Sequence, residues 1–225
     1  MDNLSSLEKN LLDNPAPRCP CLLLLDTSGS MQGKPLTELG DAVGLFIAEV
    51  QSDERAAYSV ELSIVTSGGQ VTEAQPFMPM VQFDSRPAFS AMRETPLGGA
   101  IELAISRLEE RKNAYQQAGV SYYQPWVVVM SDGAPTDSMK WKEQAARLKA
   151  LAEQKKAVVL CIGIGDDADL NTLGQCALMT PKKLQGLRFS EFFSWLSQSM
   201  ARVSASTPGD QVTLSATNSW DSIAV

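Results

Sequence analysis

The chain has 225 residues, 44% of them hydrophobic and 20% charged, which is ordinary globular usage. The length corresponds to about 1.5 typical domains. With 19 Lys and Arg against 26 Asp and Glu, the net charge is −7. That argues against a protein gripping a phosphate backbone, which needs a clustered basic face. Histidine is absent, which excludes Ser-His-Asp and Cys-His catalysis and His-ligated zinc. Metal chemistry is left with oxygen donors or with the four cysteines.

Residues 1–18 are polar, close on Pro15-Ala16-Pro17 and read as a tail. The opening MDNLSSLEKNLLDNP has neither the basic nor the apolar region of a secretion signal. No apolar stretch reaches the length of a membrane span. A cytoplasmic protein without membrane contact is the expectation. The apolar run at 21–25 predicts a buried strand. Leu36, Leu39, Val43, Phe46, Ile47 and Val50 then share one helical face. A second strand is predicted over 58–66, where Tyr58, Val60, Leu62 and Ile64 alternate. The turn Ser67-Gly68-Gly69 leads to a short strand at 70–75, which a hairpin makes antiparallel and places at an edge.

Further along, Ile101, Ala104, Ile105 and Leu108, with Tyr115 two turns on, mark a helix that Gly119 stops. A strand at 126–130 follows. The next helix has Trp141, Ala145, Leu148 and Ala152 inside, with Lys140, Lys142, Arg147, Lys149, Lys155 and Lys156 on a solvated outer face. Strands are predicted at 157–164 and, more weakly, at 184–189. A last helix carries Phe192, Leu196, Met200 and Val203. Continuous apolar strands alternating with such helices predict an α/β fold with a doubly wound, mostly parallel sheet over residues 19–203. Residues 204–225 lack Lys and Arg and read as a second tail. Its Val212, Leu214, Trp220, Ile223 and Val225 point to docking on its own domain or on a partner.

Cys19, Cys21, Cys161 and Cys176 fit neither paired zinc spacing nor a dense disulfide framework. They are expected as small buried apolar groups. Met31, Met78, Met80 and Met92 read as core or loop packing.

The most informative stretch is Asp26-Thr27-Ser28-Gly29-Ser30, directly after the first apolar strand. In an open α/β sheet, ligands bind outside the carboxyl ends of the strands. Asp26, Ser28 and Ser30 alternate, so one carboxylate and two hydroxyls can converge. Such hard oxygen donors suit Mg²⁺ or Mn²⁺. Taken alone, the pentapeptide equally fits an Asp capping the next helix while its serines satisfy turn amides. Two more loops tip the balance. Met130-Ser131-Asp132-Gly133 puts a second carboxylate at another strand end, and Thr95-Pro96-Leu97-Gly98-Gly99-Ala100 supplies a third hydroxyl just before a helix.

Together, the DxSxS turn, the Thr of TPLGGA and the SDG turn resemble the von Willebrand factor type A domain and its metal-ion-dependent adhesion site, across residues 20 to 203. The resemblance implies a Rossmann-like fold and a divalent cation, Mg²⁺ first with Mn²⁺ or Ca²⁺ also open. It implies that Ser28, Ser30 and Thr95 bind the cation, with Asp26 and Asp132 holding it largely through water. LLLLDTSGSM, TPLGGAIELA and VVVMSDGAPTD are most similar to bacterial TerY-like proteins. Those belong to tellurium-resistance and stress gene clusters beside kinase-like and phosphatase-like proteins. The implied role is a non-enzymatic module whose cation takes up an Asp or Glu from a partner protein.

Competing signals are weaker. Gly163-Ile164-Gly165-Asp166-Asp167-Ala168 nearly matches a dinucleotide fingerprint, but its acidic pair would repel pyrophosphate. Asp26 as a phosphatase nucleophile would want a second Asp where Ser28 stands, and no general acid–base is evident beside it. A metal-independent scaffold is the remaining alternative.

Overall fold

Strand β1 (Cys19–Asp26) is buried along its whole length. It is central because it is flanked by parallel strands on both sides: β2 (Val60–Gly68) and β4 (Trp126–Ser131). In this computed structural model, residues 14, 16–214, 216–217 and 221–222 are described, the last pair by backbone alone. The other strands are β3 (Gln70–Pro79), β5 (Val158–Gly163), β6 (Lys182–Leu184) and β7 (Asp221–Ser222). The sheet order is β3-β2-β1-β4-β5-β6-β7. The β3 pairing is antiparallel, as the Gly68-Gly69 turn predicts, and β7 adds an antiparallel pair at the opposite edge.

The helices are α1 (Lys34–Ser52), α2 (Glu54–Ser59), α3 (Leu97–Ala118), α4 (Ser138–Glu153), α5 (Leu170–Leu173) and α6 (Phe189–Ser204). Strand pleating sorts β1 between two layers. Cys21, Leu23 and Leu25 face a core shared with Val43, Phe46, Phe193 and Leu196 of α1 and α6. Leu22 and Leu24 face a second core with Ile101, Ala104, Trp141 and Leu148 of α3 and α4. This is the doubly wound α/β architecture that the alternating apolar runs predict.

Several boundaries differ from the sequence reading. Strand β2 begins at Val60 because the Asp53 side chain accepts from the Ala56 amide at 2.9 Å and starts the short helix α2. Tyr58 lies on that helix, 45% exposed. Strand β3 runs on to Pro79, past register shifts opposite Leu62 to Val65. The strand expected at 184–189 is Lys182–Leu184 instead. Gly186, at φ 57°, turns the chain there, and Phe189 opens α6. Gly119 ends α3 at φ 67°, the left-handed cap expected of it.

Both ends of the described chain are tied down. The buried Arg18 guanidinium meets Glu61 Oε1 at 3.1 Å, and Arg111 meets Glu61 Oε2 at 2.6 Å. The Tyr115 hydroxyl also donates to Glu61. The Tyr123 hydroxyl donates to the Ser206 carbonyl at 2.7 Å, and Val212 and Leu214 pack partly buried on the α1–α6 core. Trp220, Ile223 and Val225 lie outside the described residues whose side chains are placed. All four cysteines are free and buried. No helix among the described residues is long and apolar enough to cross a membrane.

Candidate metal centre

Parallel pairing of Leu25 with Met130 sets the carboxyl ends of β1 and β4 side by side. Asp26 and Ser131 therefore end neighbouring strands, and the Ser131 hydroxyl donates to Asp26 Oδ2 at 2.6 Å. Asp26 Oδ1 accepts from the Ser28 amide at 2.8 Å. Asp26 itself thus satisfies a turn amide, a role the sequence reading gave to the serines, and the bond occupies only one of its two oxygens. Asp26 is fully buried. Burial pushes its carboxyl above the usual range, Asp132 pushes the same way, and the bonds from Ser131 and Ser28 pull it down.

The Ser28 and Ser30 hydroxyls lie 3.1 Å apart, and Ser30 Oγ donates to Asp132 Oδ2 at 3.0 Å. Asp132 Oδ1 accepts from the Ala134 amide at 3.0 Å. Ser28, Ser30 and Asp132 thus form one hydrogen-bonded chain, with Asp26 joined to it through the Ser28 backbone. Thr95 is held differently. Its amide donates to the Thr136 hydroxyl at 3.2 Å, and its carbonyl accepts from the Thr136 amide at 2.9 Å. Thr95 is buried, and its hydroxyl forms no hydrogen bond among the described residues. It reaches the same loop cluster through Thr136 and makes no hydrogen bond with the other four.

The supporting shell explains why these loops stay together. Pro96 offers no side-chain cap to α3. Asp137 supplies one from the neighbouring loop, its two oxygens accepting from the Gly98 amide at 3.0 Å and the Gly99 amide at 2.8 Å. A carboxylate there also meets the positive end of the helix dipole. Thr27 anchors the first loop, its amide donating to Ser67 and its carbonyl accepting from Met92, each at 2.9 Å. Gly133 has φ 81°, and a Cβ on it would stand 2.5 Å from the Asp169 carbonyl oxygen. Sequence reasoning passed over Ser131, Thr136 and Asp137. The signal was present in the phrase SDGAPTD, read there as a marker of similarity and not as three hydrogen-bonding roles.

The arrangement offers two carboxylates and three hydroxyls. Among the described residues there is no cluster of three or more His, Cys, Asp or Glu side chains suited to a metal. A hard cation bound through hydroxyls, carboxylates and water fits the donor set. The unpartnered hydroxyl of Thr95 adds to that fit.

Comparison with known proteins agrees with the fold. The chain is similar to proximal thread matrix protein 1 from the mussel byssus (21% identity, TM-score 0.55, covering 84% of this chain and 48% of that one). It is similar to a von Willebrand factor type A structure from Catenulispora acidiphila (16% identity, TM-score 0.59, 84% of this chain and 43% of that one). A manganese-loaded TRAP protein of Plasmodium vivax also matches (18% identity, TM-score 0.55, 80% and 73%). The chain spans about half the length of the first solved chains it matches. No curated protein matches its sequence. The model of the von Willebrand factor type A domain matches residues 22–190, a span running from β1 into α6, and the chain belongs to that family.

Proposed function

We propose that this chain is a metal-dependent protein-interaction module. Asp26, Ser28, Ser30, Thr95 and Asp132 hold a divalent cation, Mg²⁺ ahead of Mn²⁺ or Ca²⁺, and an Asp or Glu of a partner protein completes the site. The observation that carries this reading is the burial of Asp26 without any basic partner among the described residues, held by the Ser131 hydroxyl and the Ser28 amide. A bound cation supplies positive charge and one exchangeable coordination position. Ser131 and the Ser28 amide orient Asp26, Asp132 closes the outer side through Ser30, and Asp137 with Thr136 keeps the Thr95 loop in place. A dication balances two carboxylates, so an incoming third carboxylate meets no net repulsion and gains a charge-assisted contact.

The site is built without histidine or cysteine, which supports a non-enzymatic role. The motif similarity to TerY-like proteins supports a cytoplasmic setting in tellurium-resistance or stress signalling. The partner would then be a kinase-like or phosphatase-like protein, with neither nucleic acid nor membrane involved. Titration with Mn²⁺ followed by water-proton relaxation tests the site. The wild type should bind Mn²⁺ with exchangeable water still on the ion, and Ser28→Ala and Asp132→Ala should bind at least tenfold more weakly. No Mn²⁺ binding, or equal binding by all three proteins, overturns the proposal.

A further inference from the structure

Asp26 stands in a row of three residues that crosses the sheet: Ser67 on β2, Asp26 on β1 and Ser131 on β4. Asp26 pairs with Ser67 directly. The pairing of Leu25 with Met130, carried one residue on, brings Ser131 to its other side. Val65, Leu24 and Val129, each two residues earlier, or one pleat back, all face the α3–α4 core. The pleat returns every second residue to the same side. Ser67, Asp26 and Ser131 therefore share the face against which the Thr95 end of α3 is packed.

The two serines are used differently. The Ser131 hydroxyl accepts from the Gly133 amide at 3.1 Å and donates to Asp26 Oδ2 at 2.6 Å. The Ser67 hydroxyl is fully buried and has no hydrogen-bond partner among the described residues. Its backbone, by contrast, is held closely. The Ser67 carbonyl accepts from the Thr27 amide at 2.9 Å, and the Gly69 amide donates to the Glu94 carbonyl at 2.7 Å. Between them, a Cβ on Gly68 would collide with the Thr27 carbonyl. The end of β2 is thus fixed between the Asp26–Ser30 turn and the Thr95 segment, while its hydroxyl is satisfied by neither. A buried hydroxyl without a partner is costly, and alanine would take the same place without that cost. Ser63, on the same face of β2, shows the ordinary solution: its hydroxyl donates to the Gln75 carbonyl at 3.0 Å.

We propose that Ser67 is a sixth residue of the cation site, a positioning residue whose hydroxyl shares with Asp26 the water that joins this carboxylate to the cation. The inference rests on the metal-binding reading above. Water polarised by a dication is a strong donor through both protons. Asp26 accepts one, and the neutral oxygen of Ser67, next in the row, accepts the other. A hydroxyl there adds a bond without adding charge to a site that already holds two carboxylates.

Mn²⁺ titration by water-proton relaxation, with Tm measured in chelator, tests this on wild type, Ser67→Ala, Ser63→Ala and Ser28→Ala. Ser67→Ala should bind Mn²⁺ roughly tenfold more weakly yet keep or raise Tm in chelator, because an unbonded hydroxyl is removed. Ser63→Ala should do the reverse, losing about 2–4 °C in Tm with Mn²⁺ affinity unchanged. Ser67→Ala binding Mn²⁺ as tightly as wild type overturns the proposal. So does weaker binding accompanied by a Tm loss like that of Ser63→Ala, which would make the hydroxyl a structural group only. If Ser28→Ala weakens Mn²⁺ binding and Ser67→Ala does not, this inference alone fails. A wild type that binds no Mn²⁺ overturns the cation reading and this inference with it.

Discussion

Asp137 is not among the proposed cation donors, yet the structure gives it a measurable role in the site. Its carboxylate accepts from the Gly98 and Gly99 amides at 3.0 and 2.8 Å and so caps a helix whose own N-cap residue is Pro96. Removing a carboxylate cap costs about 1–2 kcal/mol, and losing the charge at the helix N-terminus adds about 0.3–1 kcal/mol. Asp137→Ala should therefore cost about 1.3–3 kcal/mol. At roughly 2–4 °C per kcal/mol for a chain of this size, the central expectation is a Tm lowered by about 4–9 °C. Asp137→Asn keeps one acceptor and should lose about half as much. Both changes loosen the loop carrying Thr95, so Mn²⁺ affinity should fall in the same order, alanine below asparagine below wild type. Urea unfolding monitored by circular dichroism, followed by Mn²⁺ titration of each variant, decides it. If Asp137→Ala unfolds within 0.5 kcal/mol of wild type, the bond across the two loops carries no weight and the reasoning fails.

Other consequences follow from single features. Glu61→Gln breaks a buried network with Arg18 and Arg111 and should cost about 3–5 kcal/mol; a urea-measured loss below about 1 kcal/mol would refute the pairing. Gly98→Ala places a Cβ 2.4 Å from the Trp141 amide nitrogen, so the α3–α4 contact must open, at about 1–3 kcal/mol by the same measurement; a neutral result would mean the two helices can separate freely. Burial pushes the Cys19 thiol up to about 12 and raises Cys21, and the hydrogen bond with Cys176, followed by burial, raises Cys161. The unfolded chain therefore loses these protons first as pH rises above 9. The folded state binds more protons across that window, so stability falls between pH 9 and 12, by up to about 1.4 kcal/mol per pH unit for each thiol. Cys19→Ala should make the decline of the urea midpoint shallower, and an unchanged slope counts against the buried assignment.

What the sequence disclosed depended on how local each signal was. Leu22 to Leu25 announce a central strand because both faces of that strand are covered, and the apolar run needs no knowledge of its neighbours. The hairpin at Gly68-Gly69 and the stop at Gly119 were equally legible, since the backbone there requires what glycine permits. Tyr58 misled because its alternation with Val60 was real, while the Asp53 cap on the Ala56 amide overrode it. Phe189 misled for a similar reason: Gly186 ends the strand segment before it. The five candidate donors were visible as residue types at strand ends. Asp137 and Thr136 were not, because their partners lie across a gap of about forty residues that only the folded sheet closes.

Two buried carboxylates at different points along the same sheet sharpen the case for a cation. Glu61 and Asp26 are both fully buried. Glu61 sits opposite Pro20, near the start of β1, and the chain spends Arg18, Arg111 and Tyr115 on it. Asp26 closes the same strand and, among the described residues, receives a hydroxyl and an amide. A buried charge left with neutral donors is expensive and drifts toward protonation, which is the direction burial imposes on Asp26. A chain able to bury two arginines beside one carboxylate is not short of means to neutralise another. Leaving Asp26 without one among the described residues, next to Ser28 and near Asp132, is what the proposed uptake of positive charge from outside the chain requires. A lysine or arginine there would stabilise the fold and close the site. On the proposed reading, its absence trades part of that stability for the ability to take up a cation.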